Sequence, residues 1–230
     1  MRKSVEKLAV ACRLLTIVGI ATIIGCTPAV RTVTLMKFIP AGEAGNVQEK
    51  NSVKFEVNVL DQTSVKNFPE LTPKVKMKVK DPVWGMYEKE VQVYLLSGAV
   101  EAYVQSRVII TNRTGHVLKF TGSVIKLMDD LGNVYDVLTK PEVIAGWNTD
   151  NSAILTPFLS KLKYLDANTE ILPDMTWTGY VAFNMPMKDV GETFKIAIYD
   201  LTTKTDAAGN PTEKSRFEFN FKKEVETKTM

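Results

Sequence analysis

From Ser52 onward the chain alternates between apolar and polar residues. Val53, Phe55, Val57 and Val59 are separated by Lys54, Glu56 and Asn58, and a period of two turns one row of side chains toward a core and the other toward water. This predicts a strand with one buried face. After a stretch interrupted by Pro69 and Pro73, Val75, Met77 and Val79 alternate with Lys74, Lys76, Lys78 and Lys80. Such a lysine row reads as a solvated edge strand whose charge discourages pairing with another chain, or as a contact for an anionic glycan or lipid head group. Residues 81–86 read as a loop and 88–96 as another strand, and 99–111 as a long one ending in the turn-forming run Asn112-Arg113-Thr114-Gly115. Residues 117–128 resume the pattern, and Asp130-Leu131-Gly132-Asn133 turns the chain into 134–138 as a meander.

The second half repeats the alternation. Trp177, Gly179, Val181 and Phe183 share one face of a strand, Phe194, Ile196 and Ile198 one face of the next, and Phe217, Phe219 and Phe221 alternate with Arg216, Glu218 and Asn220 in a closing strand. Thr156-Pro157 supplies a capping hydroxyl and a proline suited to a first helical position, with Phe158, Leu159, Leu162 and Leu165 near one face. This predicts one short helix over an end of the fold. Residues 202–215, with Asp206, Gly209, Asn210 and Pro211, read as a long polar loop. About nine strands and one helix predict an all-β fold, a sandwich with additions.

The first 25 residues break this pattern. Arg2, Lys3, Lys7 and Arg13 outweigh Glu6, and an unbroken apolar run from Leu14 to Gly25 follows. Twelve helical residues span only about 18 Å, short of the ~30 Å hydrocarbon core, so the run fits an export signal and not a permanent membrane span. It ends Ile23-Ile24-Gly25-Cys26, which resembles the lipobox of bacterial lipoproteins. That resemblance implies cleavage between Gly25 and Cys26, attachment of diacylglycerol to the Cys26 sulfur and N-acylation, with palmitate a typical acyl group. Several acyl chains hold a protein durably where one does not. Thr27 in place of Asp implies, by the same resemblance, the outer membrane in an organism that has one.

Removing the signal also changes the composition. The chain holds 29 basic and 26 acidic residues for a formal charge of +3. The signal accounts for four of the former and one of the latter, which leaves 25 of each sign. A neutral mature chain excludes a nucleic-acid reading based on charge. Of the two cysteines, Cys12 lies in the signal and Cys26 is taken by lipid, so no thiol is left for a disulfide, a metal or a nucleophile.

These features divide the chain into a signal peptide (1–25), a lipidated N-terminus and tether (26–50) in which 30–38 has strand character, an N-terminal β extension packed on the sandwich (51–98), the sandwich itself (99–222) and a tail (223–230). Within the sandwich, SRVIITNRTG, SVIKLMDDLGNVYDV and TWTGYVAFNMP resemble immunoglobulin-like domains of unknown function that recur in bacterial lipoproteins and secreted proteins. The match rests on Asn112, on Asp130 with Gly132, on Tyr135, and on the run Gly179 to Phe183. It implies an immunoglobulin-like antiparallel β-sandwich, and its residues are those of turns and packing, so it speaks to fold and not to activity.

Candidate chemistry is sparse. His116, the single histidine, falls in a turn with no companion ligand or nucleophile signature. No zinc-hydrolase, serine-hydrolase or nucleotide-binding motif occurs. Asp129, Asp130 and Asp136 lie near one turn, but neighbours on a strand point to opposite faces and the spacing is not that of a calcium loop. Trp84 and Trp147 fall in loops beside Gly85 and Gly146, where indoles stack on sugars, anchor a partner or fold back onto the domain. The reading is a non-enzymatic, lipid-anchored envelope protein, without cofactor beyond its own lipid, that joins a membrane-associated assembly through an envelope protein partner. The alternatives are a glycan- or solute-binding lipoprotein using Trp84 and Trp147 and, more distantly, a carboxylate-dependent hydrolase.

Overall fold

The computed structural model describes residues 32–229 except 44, 62, 84, 94–102 and 146–151. They form thirteen strands: β1 (Thr32–Ala41), β2 (Val47–Lys50), β3 (Val53–Val59), β4 (Lys74–Asp81), β5 (Gly85–Gln92), β6 (Val104–Asn112), β7 (Leu118–Lys119), β8 (Val124–Asp129), β9 (Val134–Asp136), β10 (Glu170–Ile171), β11 (Thr176–Phe183), β12 (Thr193–Thr205) and β13 (Pro211–Thr229). Two compact units divide the chain, Leu35–Glu226 and a second made of Met1–Thr34 with Thr227–Met230. The architecture below is that of Leu35–Glu226.

One sheet has the order β1-β13-β12-β8-β9 and the other β11-β6-β3-β2. The chain passes between them four times, from β1 to β2, from β6 to β8, from β9 to β11 and from β11 to β12. This is the connectivity of an immunoglobulin-like sandwich, carrying extra strands at its edges. Two small ribbons, β7 with β10 and β4 with β5, stand outside the main sheets.

The alternation reaches the core as expected. In β3 every second residue, Val53, Phe55, Val57 and Val59, is buried. On the opposite sheet Phe217, Phe219 and Phe221 are buried in the same manner. The Phe55 ring lies 4.6 Å from that of Phe217 and 6.5 Å from that of Phe219, so one side chain bridges the two layers. Phe194 continues the seam between Phe38 and Phe221, at 5.3 and 5.4 Å.

Several boundaries differ from the sequence reading. β1, β2 and β3 come from residues read as tether and extension, yet they pair into the two sheets, and β3 runs beside β6 from Val53↔Asn112 to Val59↔Ser106. Among the described residues there are two α-helices, α1 (Lys140–Ala145) and α2 (Ser152–Leu159), where one was expected. α2 begins four residues before Thr156, and Pro157 sits in its last turn, where a missing N–H costs one intrahelical bond at most. The run 117–128 is broken between β7 and β8 by a turn in which Ser123 N donates to Phe120 O and Gly122 takes a φ of 80°.

The expected loop 202–215 is mostly paired strand. β12 carries a bulge between Ile198 and Leu201, with Asp200 at a φ of 56°. One inserted residue resets the period, so that Leu201 and Thr203 point inward where strict alternation would bury Asp200. Only residues 206–210 remain as a turn. The Asp206 carboxylate accepts the N–H groups of Ala208 and Asn210 and the Asn210 amide. Asp129 closes β8 to β9 in the same way through Leu131 and Asn133.

Gly179 marks the tightest approach in β11. A Cβ there would lie 2.3 Å from the Trp177 ring and 2.7 Å from the Lys163 carbonyl oxygen. That carbonyl is fixed, because it accepts the N–H of Tyr180 at 2.8 Å. Gly179→Ala is therefore expected to destabilise the domain by about 1–3 kcal/mol, read as a lower midpoint in urea unfolding followed by Trp fluorescence, and an unchanged midpoint would show that the strand relaxes freely.

Candidate functional site

Four of the positions singled out in the sequence, Gly25, Cys26, Trp84 and Trp147, lie outside the described residues. No helix among the described residues is long and apolar enough to cross a membrane.

The carboxylates are dispersed by their own hydrogen bonds. Asp129 faces inward to its turn and also accepts the Tyr135 hydroxyl at 3.0 Å. Asp130 caps a different segment, accepting the Glu192 N–H at 2.8 Å. Asp136 pairs with Lys126 on the outer surface. Among the described residues no group of three or more metal-binding side chains is assembled. His116 lies in the turn after β6 and serves it through its backbone, whose carbonyl accepts the Asn112 amide at 2.9 Å. Asn112, fully buried, also donates to Ile171 O and accepts from the Thr114 N–H and hydroxyl. Its side chain thus has both donors and both acceptor positions used, as a buried amide requires.

Two features with functional potential had no sequence signal. The first is a pair of adjoining grooves, of about 450 and 510 Å³, that share Leu138, Thr139, Leu165 and Asp166. Lys126 and Asp136 border one, Trp177 and Tyr164 the other. Asp166 is committed to its own turn, accepting from Asn168 N and from the Thr169 hydroxyl. The grooves form because residues 163–165 run along the edge of β11, with Leu165 N donating to Tyr180 O at 2.8 Å. On the other face of β11, where Tyr180 lies beside Arg107 of β6, the Tyr180 hydroxyl and the Arg107 Nε both donate to Glu70, at 2.9 and 3.1 Å, while Arg107 stacks over Phe68 at 4.9 Å. Burial works against the Glu70 carboxylate, but its own backbone N–H, Tyr180 and Arg107 outweigh that effect and hold it below the ordinary value. Burial, with Glu70 beside it, pushes the Tyr180 phenol up. This group clamps a segment onto the sheet.

The second is the outward face of the five-stranded sheet. The register places Val134, Met128 and Lys195 in one row, Asp136, Lys126, Ala197 and Glu218 in the next, and Val124 beside Tyr199 in a third. Lys126 pairs with Asp136, Glu218 with Lys195 and Arg216 at 2.7 and 2.5 Å, and the Arg216 guanidinium stacks on Tyr199 at 4.5 Å. Val134 is 54% exposed and Val124 39%. On this face apolar side chains are set among ion pairs.

No protein-family model and no curated protein matches the chain. Among solved structures, a conserved hypothetical protein from Bacillus anthracis is similar to it at 14% identity, over 71% of this chain and 92% of that chain, with a TM-score of 0.34.

The two Asp-centred turns make acid stability measurable. At Asp206 the side chain and N–H of Asn210 lower the carboxyl below its ordinary value. At Asp129 burial opposes ionisation, but bonds from Asn133, Tyr135 and Leu131 prevail in the same direction. A carboxyl lowered in the folded state adds stability above its unfolded value, and that contribution is lost as pH falls through the folded value. Thermal midpoints followed from about pH 6 to about pH 2 should therefore fall less steeply in Asp129→Ala and Asp206→Ala than in the parent; parallel curves would deny the two turns any part in the acid limb.

Proposed function

We propose that this chain is a lipid-anchored component of the cell envelope whose sandwich serves as an interaction or scaffolding module in a membrane-associated assembly. The N-terminal charge, the short apolar run and the Gly25-Cys26 junction supply the anchor, and the outer membrane is its site in an organism with two membranes. The observation that carries the interaction reading is the outward face of β9, β8, β12 and β13. Its ion pairs keep it soluble while Val134, Met128, Val124 and Tyr199 offer apolar contact across neighbouring strands, as the core of a transient interface does. Ion pairs already formed on such a face also fix where charges sit, which favours a partner with complementary charge and disfavours others.

Two experiments separate the parts of this proposal. Cys26→Ala should abolish labelling by radioactive palmitate and leave the precursor unprocessed, whereas retained labelling would remove the anchor. Affinity purification of the wild-type protein from gently solubilised envelopes, followed by mass spectrometry, should recover a partner in stoichiometric amount. Val134→Asp should lose that partner at unchanged thermal midpoint, since a surface substitution at an exposed edge alters stability by roughly ±0.5 kcal/mol. Recovery of the wild-type chain alone would refute the scaffold.

A further inference from the structure

Among the described residues the β4–β5 hairpin is the one long element that neither main sheet uses. Its register sorts the side chains into two faces. Lys74, Lys76, Lys78 and Lys80 lie opposite Gln92, Glu90, Glu88 and Met86 on one, and Val75, Met77 and Val79 lie opposite Val91, Lys89 and Tyr87 on the other. Four ammonium groups thus share a face with two carboxylates, and among the described residues none of the four lysines forms an ion pair. Burial falls from base to tip. Val75 is buried and Val93 packs against the core, whereas Tyr87 is 42% exposed, Met86 63% and Val83 79%. A two-stranded ribbon gains little stability in water from its own pairing, so a long one that ends in exposed apolar residues is unexplained by the fold.

The position of the hairpin indicates what meets it. It leaves the sandwich through the segment capped by Asp61, whose carboxylate accepts the N–H groups of Thr63 and Ser64. The same carboxylate receives the N–H of Phe38 from β1 at 3.4 Å. The segment that leads to the hairpin and the first strand after the anchor thus meet at one carboxylate. Eight residues lie between Cys26 and Leu35, a reach of about 30 Å at most. An eight-residue ribbon extends ~26 Å.

We propose that the β4–β5 hairpin docks on the anionic phospholipid surface that holds Cys26, its lysine face on the head groups and Val83 and Met86 at the interface. The proposal rests on the lipid-anchor reading and adds an orientation to it: the hairpin end of the sandwich faces the bilayer, while the outward sheet face stays available to a protein partner. Attraction of lysine to an anionic leaflet acts within about a Debye length and weakens with salt.

The test uses the full chain, purified from envelope membranes and reconstituted into vesicles of phosphatidylglycerol and phosphatidylcholine in equal parts, or of phosphatidylcholine alone. An environment-sensitive thiol dye is placed at Val83→Cys or, as reference, at Ala208→Cys in an exposed turn. The Val83→Cys dye should brighten and shift to the blue on anionic vesicles only. Raised salt should reverse the shift, and each Lys→Gln change in the row should reduce docking about fivefold. The Ala208→Cys dye should not respond. A Val83→Cys dye that stays in a watery environment on anionic vesicles, that shifts equally on neutral ones, or that shifts only when an envelope protein co-purifies overturns the proposal. The mass of the Cys26 peptide scores the anchor separately. Unmodified Cys26 with a salt-sensitive shift refutes the anchor and retains the docking; lipid-bearing Cys26 with an unshifted dye does the reverse.

Discussion

The contact on which the domain depends is the phenylalanine seam between its two sheets. No cysteine occurs among the described residues, so no covalent bond joins β3 to β13. Phe55 instead reaches across to Phe217 and Phe219 and touches Phe120, whose ring centroid is 6.3 Å away, while Phe194 links Phe38 to Phe221. Large rings suit this task because each removes much apolar area from water and because tilted and edge-on pairs fill the gap between pleated layers without voids. The order of the strands follows from the need to bring these rings together.

A sandwich has open edges, and polar side chains close this one. Along β13 the Gln48 amide both donates to and accepts from the Glu218 backbone, and Lys50 donates to Arg216 O at 2.6 Å. Asn51, at a φ of 51° in the two-residue turn between β2 and β3, donates to Thr203 and Ser215 across the edge. These bonds satisfy backbone and hydroxyl groups that a missing strand would otherwise leave to water or to another chain. Surfaces without this treatment, the hairpin tip and the outward face of the larger sheet, are where the functional proposals are placed.

The candidate surfaces were only partly legible beforehand. The lysine row was visible because it follows the same period of two as its strand, but nothing local placed it on a ribbon outside both main sheets. The adjoining grooves were invisible, since Trp177, Lys140 and Asp166 come together only through the pairing of residues 163–165 with β11. The carboxylates near Asp130 looked like a cluster in one dimension and became three separate structural contacts in three. The clamp of Glu70, Arg107 and Tyr180 joins residues 37 and 110 positions apart, a distance at which residue type alone carries no signal.

By itself the sequence determined the strand faces and the turns at Asn112 and Gly132, because each depends on periods and neighbours a few residues long. Tertiary structure decided the rest. It drew β1 to β3 into the sheets, since a strand with one apolar face must find a second layer wherever that layer lies in the chain. It converted most of residues 202–215 into paired strand, since the bulge at Asp200 returns Leu201 to the core and the partner strand supplies the hydrogen bonds. It also decided that Gly179 must be glycine, because the atoms that crowd it belong to Trp177 and to the carbonyl of Lys163, brought there by a pairing that short-range pattern does not encode.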